Sequence, residues 1–247
     1  MLTIISITYN SLKDIKKTCS SLDCQIFNAF EHIIVASGFS IEDKEVLLTS
    51  CKSPCRRFIF DQDKSLYNAM NIGLRAAKGG WVLFLNGGDV LVVSDALSII
   101  SGKQGKSCMA FSTAQRYEED LYIRPPCRIT NGSVTSCGHQ GFVTPLDPVP
   151  AKRIYYNESN YISADQEWIR ENIKHYGVEM HEEVLSEFHL GGISSRPSTR
   201  AIKLQLNAAN YRSVVKLLAK IVLYAFLSPR LYYYLMARFN RYKIVDQ

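Results

Sequence analysis

The chain lacks most of the signatures that would assign its 247 residues to a function at sight. No G-x-G-x-x-G follows its first apolar segment and no G-x-x-x-x-G-K-[S/T] occurs anywhere. Both absences argue against a dehydrogenase-type dinucleotide fold and a P-loop nucleoside triphosphatase. No G-x-S-x-G occurs, so the nucleophile turn of an α/β-hydrolase is missing as well. The seven cysteines, at 19, 24, 51, 55, 108, 127 and 137, include no C-x-x-C, and Cys51 with Cys55 has no matching second half. A zinc site is therefore not expected, and free thiols in a reducing cytoplasm are. No apolar run reaches the roughly 18 residues of a membrane-spanning helix. The start, Met1–Asn10, has neither the basic opening nor the long apolar core of a secretory signal.

Acidic residues are scarce in one segment. Residues 200–247 carry nine Lys or Arg and a single acid, Asp246, whereas the rest of the chain is close to neutral. The net charge of +6 thus belongs to the tail, and nucleic-acid binding by the main body loses its support. Length allows one full core with an appendage, and composition argues against widespread disorder. The division expected is 1–197 for the main domain and 198–247 for a helical, basic tail.

The most informative stretch is Asp61–Asp89. Asp61 and Asp63 sit in a charged loop, and Tyr67–Ala77 then reads as a helix with Leu66, Met70, Leu74 and Ala77 on one stripe. Lys78-Gly79-Gly80 reads as its stop, and Trp81–Leu85 as a strand covered on both faces. That strand ends in Asn86-Gly87-Gly88-Asp89. Upstream, Leu2–Thr8, Ile33–Ala36 and Phe58–Phe60 read as three more strands, with helices started by Ser11 and Ser40 between them. Strand and helix alternate, which predicts an α/β domain with a largely parallel sheet. The strands end in Thr8-Tyr9-Asn10, Ser37-Gly38, Asp61-Gln62-Asp63 and Asn86–Asp89, so four polar clusters converge on one sheet edge, where α/β proteins hold ligands.

Downstream, Ala96–Ile100 reads as a short helix, and Cys108–Ser112 and Leu121–Arg124 as strands. His139-Gln140 is framed by glycines, and Ser163-Ala164-Asp165 opens a helix that carries Trp168, Ile169, Ile173 and Tyr176 and ends at Gly177.

In this order, Ile5–Asn10, Ile34–Glu42, Asp63–Gly73, Phe84–Asp89, His139-Gln140, Ala164-Asp165 and Phe188–Ser194 resemble the successive motifs of family 2 glycosyltransferases. The bacterial enzymes of O-antigen, capsule and exopolysaccharide synthesis are the most similar. The resemblance covers about residues 2–195. It implies a GT-A fold, a Rossmann-like mixed sheet flanked by helices, with residues 1–89 as the donor half and 90–197 as the acceptor half. It also implies inverting transfer of a sugar from a nucleotide-sugar, usually UDP-linked, to an acceptor hydroxyl. On this resemblance Asp165 is the base. Thr8, Tyr9, Asn10, Ser37, Asp63, Lys64, Tyr67, Asn68, Asn71, Asn86 and Gly87 surround the donor, and His139 and Gln140 contact acceptor or phosphate. Asp89 would hold Mn²⁺ or Mg²⁺ through oxygen. The chain departs from the family's D-x-D at Asn86 and Gly88, which weakens the metal site, and Lys64 is placed to share the charge neutralisation. Ser37 stands where the family has a base-reading aspartate.

In the tail, residues 201–227 and the segment after Ser228-Pro229 read as basic amphipathic helices, with Lys216 and Lys220 four apart. They suit the surface of an anionic inner membrane on its cytoplasmic side, which a lipid-linked acceptor would share. Packing on the domain or a homodimer contact is the alternative use. Two rival functions are a sugar nucleotidyltransferase, which lacks its basic glycine-rich loop here, and a nucleotide-sugar-binding relative without turnover.

Overall fold

The computed structural model describes residues 1–62, 65–103, 105–130, 133–160, 164–190 and 211–245. These fall into two compact units, Met1–Ala114 with Pro125–Phe188 and Gln115–Arg124 with His189–Gln247. Asp63, Lys64 and Gly191–Ser194 lie outside the described residues.

The first unit opens with β1 (Leu2–Tyr9), α1 (Leu12–Asp23), β2 (Phe30–Ser37), α2 (Ile41–Ser50), β3 (Arg56–Asp61), α3 (Leu66–Ala76) and β4 (Trp81–Phe84). β1 lies parallel to β2 and to β4, and β2 lies parallel to β3. The sheet is mixed rather than largely parallel. After β5 (Val90–Leu91) and α4 (Ala96–Lys103), β6 (Cys108–Tyr117) runs on into β7 (Asp120–Arg124) of the second unit. β8 (Cys127–Thr130) and β9 (Ser133–Cys137) make a separate hairpin. β10 (Phe142–Pro145) then pairs antiparallel with both β4 and β6. α5 (Ala164–Tyr176) ends at Gly177, whose φ of 73° supplies the left-handed stop the sequence predicts. β11 (Val178–His189) pairs antiparallel with β5.

The unbroken apolar runs are explained by two covered faces. Ile5, Ile7, Ile33, Val35 and Phe84 pack with Met70 and Leu74 of α3 and with Trp168 and Ile169 of α5. Ile34 and Ala36 face the other way, onto Ile15 and Cys19 of α1 and Leu47 of α2. Ser40 caps α2 by accepting from Asp43 N. Ser65 caps α3 by accepting from Asn68 N, and that helix rides close on the sheet: a Cβ at Gly73 would stand 2.4 Å from Ile5 Cγ2. The stop of α3 differs from the expectation. Ala77 already turns to an extended backbone, and Gly79 serves close approach instead, since a Cβ there would stand 2.4 Å from Thr3 Oγ1.

A buried polar chain ties the four parallel strands together. Arg56 Nε donates to His32 Nδ1 at 2.8 Å, so His32 Nε2 carries the proton facing Ser6 Oγ at 2.9 Å. Ser6 Oγ in turn donates to Leu85 O at 2.5 Å, directly before the Asn86 turn. Asp23 holds the far end through Arg56 at 2.8 Å. Burial and the neighbouring guanidinium hold His32 well below the usual histidine range, so the chain works with a neutral imidazole.

In the second unit β7 pairs antiparallel with β12 (Lys243–Val245), and α6 (Tyr211–Phe226) precedes α7 (Pro229–Phe239). Ser228 caps α7, with Pro229 in its first turn. Tyr122, Tyr232, Tyr233 and Ala237 form a small core, and Arg230 grips Asp120 through two hydrogen bonds of 2.7 and 2.9 Å. This unit takes in Gln115–Arg124 with His189–Gln247. Two apolar stripes at four-residue spacing stay exposed: Leu218, Val222 and Phe226 on α6, and Leu231, Leu235 and Phe239 on α7. Among the described residues no helix is long and apolar enough to cross a membrane.

Candidate active site

The strand register brings three side chains into line at one edge of the first unit: Tyr9 pairs with Ser37, and Ser37 with Asp61. Tyr9 is 51 % exposed and its ring lies over Gly38, where a Cβ would come within 2.8 Å of the ring. Gly38 also has φ 76°, so the position is closed to ordinary side chains twice over. The result is an open aromatic platform. Asn10 turns to φ 45° and donates its N–H to Ser37 O at 2.9 Å, which knits the two strand ends. Asp61 accepts from Gln62 N at 2.8 Å with Oδ1, but its Oδ2 is buried with no hydrogen-bond partner among the described residues. An unpaired buried acceptor costs free energy and calls for a role. Sequence reasoning placed Asp61 in the polar cluster at the end of the third strand but chose Asp63 as the binding residue.

Beside this edge stands the turn Asn86–Asp89. Gly87 donates to Ile7 O at 2.9 Å and lies against Thr8, whose Oγ1 would be 3.1 Å from a Cβ at that position. Gly88, at φ 98°, donates to Asp14 O and to Thr18 Oγ1 at 3.1 and 3.0 Å. The Thr18 hydroxyl also donates to Asp89 O at 2.8 Å. Thr18, fully buried on α1, thus shapes the turn from below, and it too was not anticipated. Asp89 closes the turn by accepting from Asn86 N at 3.1 Å with Oδ2. Burial pushes its carboxyl up to about 7, against the opposing pull of the Asn86 N–H, the Gln140 side chain and Lys17.

His139 and Gln140 seal the turn from the other side. The main-chain carbonyl of Gln140 accepts from Ser186 Oγ at 2.7 Å, and its side chain is one of the groups that pull the Asp89 carboxyl down. His139 Nε2 lies 3.2 Å from Asn86 Nδ2, while its Nδ1 lies 3.9 Å from Asp165 Oδ2. Asp165 is in the first turn of α5. Gln166 Nε2 donates to Asp165 Oδ2 at 3.2 Å and to Cys137 O at 2.8 Å, fixing the helix start to the end of β9. A carboxylate thus faces the Asn86–Asp89 turn across one imidazole.

The residues of α3 take other positions than the sequence suggests. Tyr67 is only 6 % exposed and belongs to the core beneath the site. Asn71 is buried too, and both amide atoms are committed to the backbone of Tyr156, at 2.9 and 2.8 Å, with Nδ2 also donating to Glu158 at 2.8 Å. Asn71 is therefore a clamp for the 156–158 loop rather than a donor contact. Asn68 is half-buried in the first turn beside Ser65.

For a divalent cation, Asn86 Oδ1 is buried with no partner among the described residues, next to the Asp89 carboxylate. Among the described residues no three His, Cys, Asp or Glu side chains cluster as a metal cage. One carboxylate and one amide oxygen still fit a hard cation that completes its shell with substrate phosphates and water, as Mg²⁺ commonly does.

Residues 3–102 match the family model "Glycosyl transferase family 2". A Mycobacterium tuberculosis protein described as an uncharacterized glycosyltransferase is 30% identical over 106 residues, 41% of this chain and 40% of the relative. A PGL/p-HBAD biosynthesis glycosyltransferase of Mycobacterium bovis is 30% identical over 108 residues, 43% of this chain and 42% of the relative. The chain thus spans about two fifths of the length of these relatives. Among solved structures, S. aureus TarS in complex with UDP-GlcNAc superposes with TM-score 0.60 at 16% identity, covering 91% of this chain and 73% of that one. The mannosyltransferase PcManGT of Pyrobaculum calidifontis, in complex with GDP-Man and Mn²⁺, gives 0.53 at 12%, covering 96% and 68%. The fold is GT-A, a mixed α/β sheet flanked by helices. Residues 3–102, which carry the strand edge, α3 and the Asn86–Asp89 turn, are the part of the chain that is similar to glycosyl transferase family 2.

Proposed function

We propose that the protein transfers a sugar, with inversion, from a nucleotide-diphosphate sugar to a hydroxyl of a lipid-linked saccharide in bacterial surface polysaccharide synthesis. The observation that carries this reading is the placement of Asp165 across His139 from the Asn86–Asp89 turn. Asp165 removes the proton of the acceptor hydroxyl as its oxygen attacks the anomeric carbon. The bond from that carbon to the diphosphate breaks in the same displacement, and the electron pair leaves on the phosphate oxygen, which inverts the anomeric centre. The Tyr9 platform and Ser37 receive the base. UDP is the favoured carrier, and the UDP-GlcNAc held by TarS supports it. Asn86 and Asp89 would hold a divalent cation, which supplies positive charge to the departing diphosphate.

The exposed stripes of α6 and α7, interleaved with Lys220, Arg230, Arg238 and Arg241, suit an anionic lipid surface. This reading puts the protein on the cytoplasmic face of the inner membrane, beside a lipid-linked acceptor. One observation favours a relative that binds donor without turnover: Asp89, the carboxylate left at the turn, is engaged by the Asn86 N–H.

The test is a thermal-shift and nucleotide-release screen with UDP-GlcNAc and GDP-mannose, with and without Mn²⁺. A stabilising donor that is also turned over supports the transferase; a donor that stabilises without release of nucleotide supports the binder. A larger shift with Mn²⁺ than with EDTA supports the cation, because a ligand bound only to the folded state raises Tm.

A further inference from the structure

Gln166 follows Asp165 in the first turn of α5, and both N–H groups of its amide are engaged. Nε2 donates to Cys137 O at 2.8 Å and to Asp165 Oδ2 at 3.2 Å, while Oε1 accepts from Cys137 N at 3.2 Å. A backbone N–H can only donate, so it fixes which end of the amide is oxygen. The group that faces Asp165 is therefore an N–H donor. Cys137 is buried at the end of β9, and two residues on His139 places Nδ1 3.9 Å from the same Oδ2. Among the described residues Asp165 Oδ1 takes no hydrogen bond. The χ2 torsion of an aspartate is broad, so the plane of its carboxylate is set by a partner rather than by its own rotamer. Gln166 is that partner, and it is itself held on the backbone of another element.

We propose that Gln166 is the positioning residue of the base: anchored on Cys137, its amide holds Asp165 Oδ2 and leaves Oδ1 to meet the acceptor hydroxyl. The proton of that hydroxyl passes to Oδ1 as its oxygen bonds to the anomeric carbon, and the electron pair leaves with the diphosphate. Gln166 acts through Asp165 alone, since both of its N–H groups are spent within the protein. Its three bonds fix the amide before the acceptor arrives, so the carboxylate needs no reorientation during the transfer.

The proposal rests on Asp165 acting as the base, and the test separates the two. Nucleotide release from UDP-GlcNAc, or from GDP-mannose if that is the donor turned over, is measured for the full chain with Tm for each variant. The variants are Gln166→Met, Gln166→Glu, Asp165→Asn, and Gln166→Met combined with Asp165→Asn. Gln166→Met keeps the length of the side chain and removes the amide. It is expected to lower kcat roughly 10- to 100-fold, the scale of a small misplacement of a reacting group, with the KM for donor unchanged. Gln166→Glu, which sets a carboxylate against Asp165, is expected to lower kcat at least as far. With Asp165→Asn already present, Gln166→Met is expected to cost less than about 2-fold more, because residues that act as a unit are not additive. The full loss repeated in that background would make Gln166 a staple between α5 and β9 and overturn the proposal. Unchanged kcat with a lowered Tm would do the same, and a raised KM at unchanged kcat would make Gln166 a donor-side residue and overturn it equally. Amide exchange in the unmutated chain needs no variant: a protected Cys137 N–H is expected, and a freely exchanging one contradicts the anchor. If Asp165→Asn keeps full release, the reading of the base fails. If Asp165→Asn lowers release and Gln166→Met does not, the positioning role alone fails.

Discussion

His139 Nδ1 lies 3.9 Å from Asp165 Oδ2, and the opposite ring nitrogen is 3.2 Å from Asn86 Nδ2. With Asn86 donating, Nε2 is the acceptor and Nδ1 carries the proton that faces the carboxylate. One imidazole therefore lies between the Asn86–Asp89 turn and the Asp165 carboxylate. Replacing His139 by Ala is expected to lower kcat about 10- to 100-fold, the usual cost of losing such an outer-shell partner. The shift in Tm caused by UDP should change less than kcat does. Nucleotide release and thermal shift on the same preparation check this, and unchanged release would remove His139 from the site.

Asp61 stands next to Ser37 in the register, with one carboxylate oxygen buried and unpaired. A neutral amide is cheaper to bury than a carboxylate. Asp61→Asn is expected to raise Tm, by roughly 2–4 °C for each 1 kcal/mol relieved, and to weaken UDP binding at the same time. Stability gained together with affinity lost marks an atom kept for a ligand. A lowered Tm with unchanged affinity would make Asp61 structural.

The buried His32 gives a pH signature. Its folded-state pKa is depressed, so below the unfolded value of about 6.5 the unfolded chain binds a proton that the folded chain does not. Stability then falls as pH drops below that value. Urea unfolding at pH 7, 6 and 5 is expected to show this loss, and His32→Gln to show less of it relative to its own value at pH 7. A parallel pH dependence in both proteins would dismiss the His32 chain as the cause.

Phe226 and Phe239 are 84 % and 77 % exposed at the ends of the two apolar stripes. The full chain is expected to co-float with vesicles containing anionic lipid and to do so less at high salt, since surface charge attraction is screened. Phe226→Asp with Phe239→Asp should abolish flotation while leaving nucleotide binding intact. Equal flotation with neutral vesicles, or by the double variant, would leave the stripes without a membrane role.

Much of the first unit is legible because its strands are covered on both faces and so read as unbroken apolar runs. Leu2–Tyr9 and Trp81–Phe84 are clear for that reason, and Ser40 and Gly177 mark helix ends through local chemistry that needs no distant partner. The strand Val178–His189 is not legible. Its residues are mostly half-buried or exposed and carry five charged or histidine side chains in its first six positions and its last, so no apolar period marks it. Positions whose meaning depends on a distant partner are equally hidden. Asn71 reads as a polar helix residue facing a ligand until Tyr156, 85 positions away, takes both of its amide atoms. Thr18 reads as an ordinary helix residue until its hydroxyl meets the turn.

Asp165 is the proposed base, and the rate of nucleotide release from the donor that the protein turns over, compared between the unmutated chain and Asp165→Asn, tests that role most directly. The prediction is a loss of about 10²- to 10⁴-fold, the range for a general base, with the donor still raising Tm in the variant. Undiminished release from Asp165→Asn would contradict it.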